Sequence, residues 1–416
     1  RPFLVFPIKT GGPKRKLTIS IAGQSILSLD MELADDKPDW WASIPTEHWT
    51  GKNVLLHVNR LNDTSKGLDQ IHLADSPPSE TPHYSEPIRP QFHFSSQRGW
   101  NNDPNGLSYY RGEYHLFYQH NPVGWNWGNM HWGHAVSKDL VHWQELGDKL
   151  WPDHEGAMFS GSGVVDQQNT SLLGTKDHPA HILLYTAWGN PNGPDVQSLA
   201  FSLDGRSYRK FAQNPVVKQI TPGNRDPKVI WHEPTQRWVM ALYVEQPKGT
   251  HTVQFLTSSD LKRWSLASSI AGFFECPDLF PLTLAGQPDK MKWILTAADS
   301  DYVVGSFDGS TFFPESKKLK GHRGRGFYAP QTFSDLPTAD GRRIQIGWLQ
   351  APSPGMPFNQ AMSLPLELRL ISTADGPRLT WTPAKELASI RRKTLSLDPR
   401  QVDPSQGNIP LAADVD

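Results

Sequence analysis

The sequence holds a single cysteine, Cys276, in 416 residues, which excludes an intrachain disulfide framework. It has no apolar run near the roughly 18 residues that mark a membrane-spanning helix. The formal net charge is −1 and the longest basic cluster, Lys14-Arg15-Lys16, is short. Nothing therefore resembles the basic stripe of a nucleic-acid-binding chain. Zinc-type Cys/His spacings and glycine-rich phosphate loops are absent. The chain begins at Arg1 without a signal-peptide pattern and so reads as a processed or cut product. What is present is the balance of a soluble globular protein, 37% hydrophobic and rich in aromatics, with 16 Trp, 10 Tyr and 18 Phe. Aromatics favour strands, and flat rings also cover the apolar faces of sugars. Composition alone does not choose between the two.

Long helical periodicity is scarce, and short strand patterns punctuated by Gly, Pro, Asn and Asp dominate. Residues 1–80 read as a small β module, with strands expected at Leu17-Thr18-Ile19-Ser20-Ile21 and Asn53-Val54-Leu55-Leu56-His57-Val58. The Pro/Ser-rich stretch from Ser76 to Pro82 marks a linker, placed over 81–90. Beyond it a loose repeat recurs: Ser-x-Asp followed four residues on by an aromatic. Its copies are Ser137-Lys138-Asp139 to Trp143, Ser202-Leu203-Asp204 to Tyr208, Ser258-Ser259-Asp260 to Trp264 and Ser306-Phe307-Asp308 to Phe312. A spacing of roughly 50–65 residues suits radially repeated four-stranded blades, and four copies leave room for a fifth. The expected architecture is all-β, with a β-propeller over 91–365. The stretch Pro383 to Arg392 is the most helix-like in the chain, with Pro383 suited to a first helical turn.

Three acidic turns carry the candidate chemistry. The first, Gly99 to Gly106, reads G-W-N-N-D-P-N-G. Pro104 removes a competing donor beside Asp103, and Asn101, Asn102 and Asn105 supply amides. An Asx-rich turn would account for this composition; so would a carboxylate held rigidly beside hydroxyl-binding amides. In the second, Asn224-Arg225-Asp226-Pro227-Lys228, Arg225 is expected to keep Asp226 ionised. The alternative is a surface ion pair of little energetic worth. The third runs from Phe273 to Phe280 and sets Glu275 and Asp278 among apolar neighbours. Burial there would raise the Glu275 pKa, as a general acid needs; an edge-strand Glu facing water is the alternative. In a propeller, equivalent strands converge on one axis and distant turns meet. Two carboxylates flanking a bond are the equipment of glycoside hydrolysis, and a third can steady the positive charge of the transition state. Trp100, Gln119, Trp125, Trp127 and Trp132 are candidate sugar contacts, each equally readable as core. His131 and His134, three apart on a strand, point to opposite faces and are not taken as a metal pair.

These motifs resemble glycoside hydrolase family 32, the β-fructosidases (levanases, inulinases and invertases), over about Arg89 to Arg392. The matching segments are W-N-N-D-P-N-G at Trp100 to Gly106, Phe159-Ser160-Gly161, Arg225-Asp226-Pro227 and Glu275-Cys276-Pro277-Asp278, with Trp127 and Tyr328-Ala329-Pro330-Gln331 in support. The resemblance implies a five-bladed propeller and retaining chemistry, with Asp103 as nucleophile, Glu275 as acid/base and Asp226 as transition-state stabiliser. It further implies a fructose subsite lined by Asn102, Gln119, Trp127, Phe159, Ser160, Arg225, Asp278 and Trp348. No cofactor or metal is implied, and no nucleic acid or membrane partner. The substrate that the resemblance implies is a fructan or sucrose, cleaved from the end. An endo-levanase, a fructosyltransferase, an inverting hydrolase on the same scaffold and a sugar-binding propeller are the alternatives. The long stretch from Gly124 to Trp143 is closest in look to bacterial levanase-like members. A polymeric substrate implies an extracellular or periplasmic location. Members carry a C-terminal β-sandwich, and residues 366–416 are expected to be its beginning, cut short.

Overall fold

A computed structural model describes residues 1–78, 84–189, 193–247, 249–322 and 324–392. Among them regular structure is almost entirely strand, relieved only by 3-10 turns at Glu47–Trp49, Glu233–Thr235 and Lys385–Ile390. The helix expected from Pro383 shrinks to the last of these. Pro383 ends a strand instead, the Ala384 amide is held by the Pro365 carbonyl at 2.9 Å, and Leu387 is the only buried residue of the turn. One apolar anchor cannot support an amphipathic face. None of the described helices is long and apolar enough to cross a membrane.

The N-terminal module consists of two three-stranded sheets. One orders Trp40–Pro45, Phe3–Ile8 and His72–Ala74; the other orders Gln24–Met31, Arg15–Ile21 and Val54–Val58. Both expected strands are present and pair with each other, Leu17 opposite Val58. Phe6 and Ile8 of one sheet share a core with Leu17, Ile19 and Leu29 of the other, the period-2 pattern of two facing sheets. This core also takes in Val123 and Trp125 from the following domain. The expected linker is no loose spacer where it is described. The Arg89 guanidinium, buried, binds Glu86 through both Nε and Nη2 and lies 3.4 Å over the Phe358 ring.

Four-stranded antiparallel sheets follow. The first comprises Gly99–Tyr110, Glu113–Asn121, His131–Ser137 and Trp143–Leu150. The second comprises Ala157–Val165, His181–Trp188, Asp195–Ser202 and Arg209–Lys210. The third comprises Arg225–His232, Arg237–Gln246, Thr250–Ser258 and Ser265–Ala271. Next comes a larger sheet, whose Asp278–Leu284, Gln287–Thr296, Tyr302–Phe307 and Phe312–Pro314 meet Phe327–Thr332, Arg343–Leu349, Leu366–Thr373 and Gly376–Pro383 through one parallel pair, Leu284 with Leu370. Residues 366–383 thus do not stand apart as the start of a sandwich: Leu368 pairs with Arg343 inside the ladder, and a boundary at 365 would cut it. Residues 393–416 lie outside the described residues.

The Ser-x-Asp repeat is the turn between the third and fourth strand of each unit. Asp139, Asp204 and Asp260 each accept two backbone N–H groups and their Ser hydroxyl. The next residue is left-handed in all four copies, as Leu140, Gly205, Leu261 and Gly309. The second strands of the first three sheets are buried on both faces, which explains runs such as Ile182-Leu183-Leu184-Tyr185. Phe117 packs with Leu183, Leu184 with Met240, Ala241 with Leu279, Ile294 with Leu368, and Ile346 with Leu116. The succession returns to its start, and each fully buried Leu, Ile, Met or Phe side chain contributes ~1.5–3 kcal/mol. A clasp completes the circle: Phe358–Asn359 pairs in parallel with Gly99 and Trp100. Gly99 has φ +73°, and an added Cβ would lie 2.1 Å from the Asn121 carbonyl oxygen, so only glycine fits.

Between the first and second sheets lies a polar exception. His115 Nδ1 is 3.0 Å from His134 Nε2, and His181 bonds Ser108 and Tyr208 at 2.7 Å each. All three rings are fully buried. Desolvation lowers all three pKa values, His115 to about 4.

Candidate active site

The innermost strands break register at equivalent places, between Asn101 and Pro104, Met158 and Gly161, Arg225 and Lys228, and Tyr328 and Gln331. Proline is the local cause in three of them, because Pro104, Pro227 and Pro330 cannot donate to a ladder; Pro277 stands just before Asp278–Leu284 in the same role. Such breaks re-aim the side chains beside them. Asp226, Glu275, Cys276 and Ala329 are left-handed, with φ of 64°, 52°, 40° and 47°. For non-glycine residues this costs of order 1–3 kcal/mol each and clusters at functional sites.

The three acidic turns meet here. Asp103 accepts hydrogen bonds from Ser160 Oγ at 2.7 Å and Asn102 Nδ2 at 3.0 Å. Burial pushes its pKa up, its two donors oppose this, and the charge of Glu275 adds to the rise. Asp226 accepts the Cys276 N–H at 3.1 Å. The Cys276 thiol, its own pKa raised chiefly by burial, lies 3.5 Å from Asp226 Oδ2 and 3.7 Å from Asp103 Oδ2. Glu275 is held by Arg225 Nη2 at 2.6 Å and the Tyr328 hydroxyl at 2.8 Å.

Two expectations are corrected. Arg225 does not keep Asp226 ionised throughout. Its Nη2 is committed to Glu275 and only Nε approaches Asp226, at 3.8 Å. Desolvation outweighs it, and the Asp226 pKa is pushed up to about 7. Glu275 is not sunk among apolar neighbours either. Its side chain is a quarter exposed, because the left-handed turn sends Phe273 and Cys276 inward and Phe274 outward.

The binding candidates divide. The Asn102 amide bridges Trp100 Nε1 to Asp103. Trp348 meets Trp100 and Tyr328 edge-on, at 5.8 and 6.2 Å. Phe159 stacks on Trp188 at 4.5 Å, and Trp127, 45% exposed, meets both edge-on. Arg225 lies 4.6 Å over the Tyr243 ring, a cation–π contact. Gln119 is buried and donates to the Met158 carbonyl at 2.8 Å. Trp132 is core and props the Phe159 carbonyl, while Trp125 packs on the N-terminal module.

Asp278 does not join the others. It is fully buried, 3.2 Å from the Lys228 ammonium, and accepts the Thr332 N–H. Its place is the packing between inner strands, because it begins the regular ladder where alternation resumes. The reading of the sequence assigned no role to Tyr328, Cys276, Thr186 or Trp188. Tyr328 and Cys276 stood within matched segments; Thr186, which accepts the Asp226 N–H at 2.9 Å, and Trp188 carried no signal.

Among the described residues no group of three or more His, Cys, Asp or Glu is disposed to hold a metal ion. The geometry offers one carboxylate held only by neutral donors, a second gripped by a cation and a phenol, and a third buried between them.

Comparison with known proteins gives this arrangement a lineage. Residues 93–383 match the Glycosyl hydrolases family 32 N-terminal domain. A levanase of Bacillus subtilis is 41% identical over 360 residues, 80% of this chain and 52% of the levanase. An extracellular exo-inulinase of Aspergillus niger is 35% identical over 366 residues, 74% of this chain and 67% of its own length. The chain therefore spans about half the length of the first relative and two thirds of the second. Among solved structures, an exo-inulinase from Aspergillus awamori superposes with a TM-score of 0.67 at 33% identity, covering 74% of this chain and 69% of that one. A β-fructofuranosidase from Schwanniomyces occidentalis complexed with fructosyl-erythritol superposes at 0.65 and 32%, covering 72% and 64%. The β-propeller scaffold and the matched segments agree, and the chain belongs to glycosyl hydrolase family 32.

Proposed function

We propose that the chain is a retaining β-fructosidase on a five-bladed propeller, releasing terminal fructose from levan, inulin or sucrose. The observation that carries the reading is the unequal dress of the carboxylates. Asp103 accepts from Ser160 and Asn102 and, among the described residues, makes no ion pair, so one of its oxygens can act as nucleophile. Glu275 is oriented by Arg225 and Tyr328, beside the bond to be cleaved. In the first step an Asp103 oxygen bonds to the anomeric carbon as its bond to the leaving oxygen breaks, and Glu275 gives that oxygen its proton. In the second, Glu275 takes a proton from water, whose oxygen displaces Asp103 and restores the carboxylate. Ionised Asp226 binds ring hydroxyls and opposes the positive charge of the transition state. Its raised pKa makes that ionisation a condition of activity. Asn102, Trp127, Phe159, Ser160, Arg225 and Trp348 surround the sugar, with Gln119 held against the Met158 carbonyl. The relatives' names support a fructan substrate and action from the chain end, and a polymeric substrate places the enzyme outside the cytoplasm.

The deciding experiment incubates the protein with sucrose, inulin and levan separately, with Asp103→Asn as the blank, and resolves products by chromatography. Fructose as the sole early product from a polymer is expected. An oligosaccharide ladder would replace exo-hydrolysis with endo-action or transfer, and fructose release by Asp103→Asn equal to that of the wild type would remove the nucleophile assignment.

A further inference from the structure

Trp127 stands on the loop 122–130, and that loop is held from outside its own sheet. Val123 is fully buried in the core of the N-terminal module, and Trp125 packs beside it. Beyond Trp127, Asn129 makes a more specific contact. Its Oδ1 accepts the Asp30 N–H at 2.8 Å, and its Nδ2 donates to the Asp30 carbonyl at 2.8 Å. Asp30 lies on Gln24–Met31, an edge strand of its sheet. The carboxamide thus pairs with both outward groups of one edge residue, as a peptide unit of a neighbouring strand would. The same Nδ2 donates to Asn121 Oδ1 at 3.1 Å, and Asn121 in turn bonds the Asn126 carbonyl at 2.8 Å. Asn129 has φ 46°, a conformation that asparagine tolerates better than most residues. Trp127 lies between these fixed points, nearly half exposed, and meets Phe159 edge-on beside the Ser160 that holds Asp103.

We infer that the N-terminal module is a positioning element for Trp127, and that Asn129 is the residue that couples them. The inference rests on the fructosidase reading for its kinetic consequence. An exposed ring on a nine-residue loop would lose orientational freedom each time substrate bound; pairing the loop to a sheet edge meets that cost during folding. Asn129 touches no substrate, so its effect passes through Trp127. Substrate affinity is the quantity it sets.

The test is a double-mutant cycle on the whole chain. Asn129→Gly tolerates the left-handed backbone but removes the whole side chain and adds backbone freedom; Asn129→Asp, which also tolerates that backbone and loses the Nδ2 donor to the Asp30 carbonyl, is the second variant and is expected to shift KM in the same direction. Asn129→Gly is expected to raise KM for sucrose about five- to tenfold with kcat within about twofold. In a Trp127→Ala background the same substitution is expected to change KM by less than about twofold, because the ring it orients is gone. Equal effects in both backgrounds, or parallel losses in kcat and melting temperature, would overturn the inference in favour of a general packing role. Hydrogen exchange over 122–130 provides a readout independent of turnover. Faster exchange there in Asn129→Asp, where no glycine freedom is added, is expected, and unchanged exchange overturns the clamp. A wild-type protein that releases no fructose but shows this exchange change would refute the fructosidase reading and leave the clamp standing.

Discussion

Acid should loosen this protein through three buried histidines. His115 is fully buried against His134, and burial lowers its pKa from 6.5 to about 4. As pH falls through 6.5 the unfolded chain takes up a proton there, whereas the folded chain does so only near 4. Between those values unfolding consumes protons, so stability falls as pH falls. The difference converts to roughly 3 kcal/mol below both values, of which roughly 2 kcal/mol is lost between pH 7 and pH 5. His134 and His181 are shifted in the same direction. Asp103 and Asp226, with raised pKa values, act oppositely and regain stability on acidification. The assay therefore compares wild type with His115→Gln by urea unfolding at each pH, which cancels the carboxyl groups. The stability advantage of the wild type is expected to shrink by about 2 kcal/mol from pH 7 to pH 5. An advantage independent of pH, or a His115 NMR titration midpoint near 6.5, would refute the reasoning.

Three further outcomes are expected. Glu275→Gln should slow sucrose cleavage far more than cleavage of an aryl fructoside whose leaving group needs no proton; equal losses would remove Glu275 as the acid. Ser160→Ala removes a donor to an ionised carboxylate and should lower kcat/KM by about 10- to 150-fold, with an unchanged value arguing that Ser160 does not hold Asp103 in the reacting complex. Lys228→Met strands the buried Asp278 carboxylate and should cost about 3–5 kcal/mol in urea unfolding, largely recovered when Asp278→Asn is added; a cost below 1 kcal/mol would contradict the pairing.

Much of the architecture was legible because local chemistry repeats. A Ser-x-Asp turn must satisfy its own backbone, so the pattern survives in four units whose other residues differ. The final unit has no copy, so nothing local ties its outer hairpin, 366–383, to the units before it. Asp-Pro pairs marked two inner strands correctly, since proline ends a ladder in any context. What could not be read depends on distance through space. Arg225 sits next to Asp226 in sequence, yet its Nη2 reaches Glu275, fifty positions away. Asp278 belongs to a matched segment, but one residue past Pro277 the alternation resumes and turns it inward. Burial of Asp226, and so its shifted pKa, is a property of the strands that converge on it and not of the turn that contains it.

The clasp has a consequence for how the protein would fail. Phe358 and Asn359 fasten the last part of the circle to Gly99 and Trp100, the opening of the strand that carries Asp103 four residues later. The Trp125 indole and the Asn359 amide bind across the same junction, at the root of the Trp127 loop. The fastening that keeps the circle shut thus shares one strand with the proposed nucleophile, Asp103. On gentle heating, the seam and the reaction centre should be disturbed together. Activity would disappear while most of the sheets still stood, and the temperature at which the enzyme stops would lie below the temperature at which it melts.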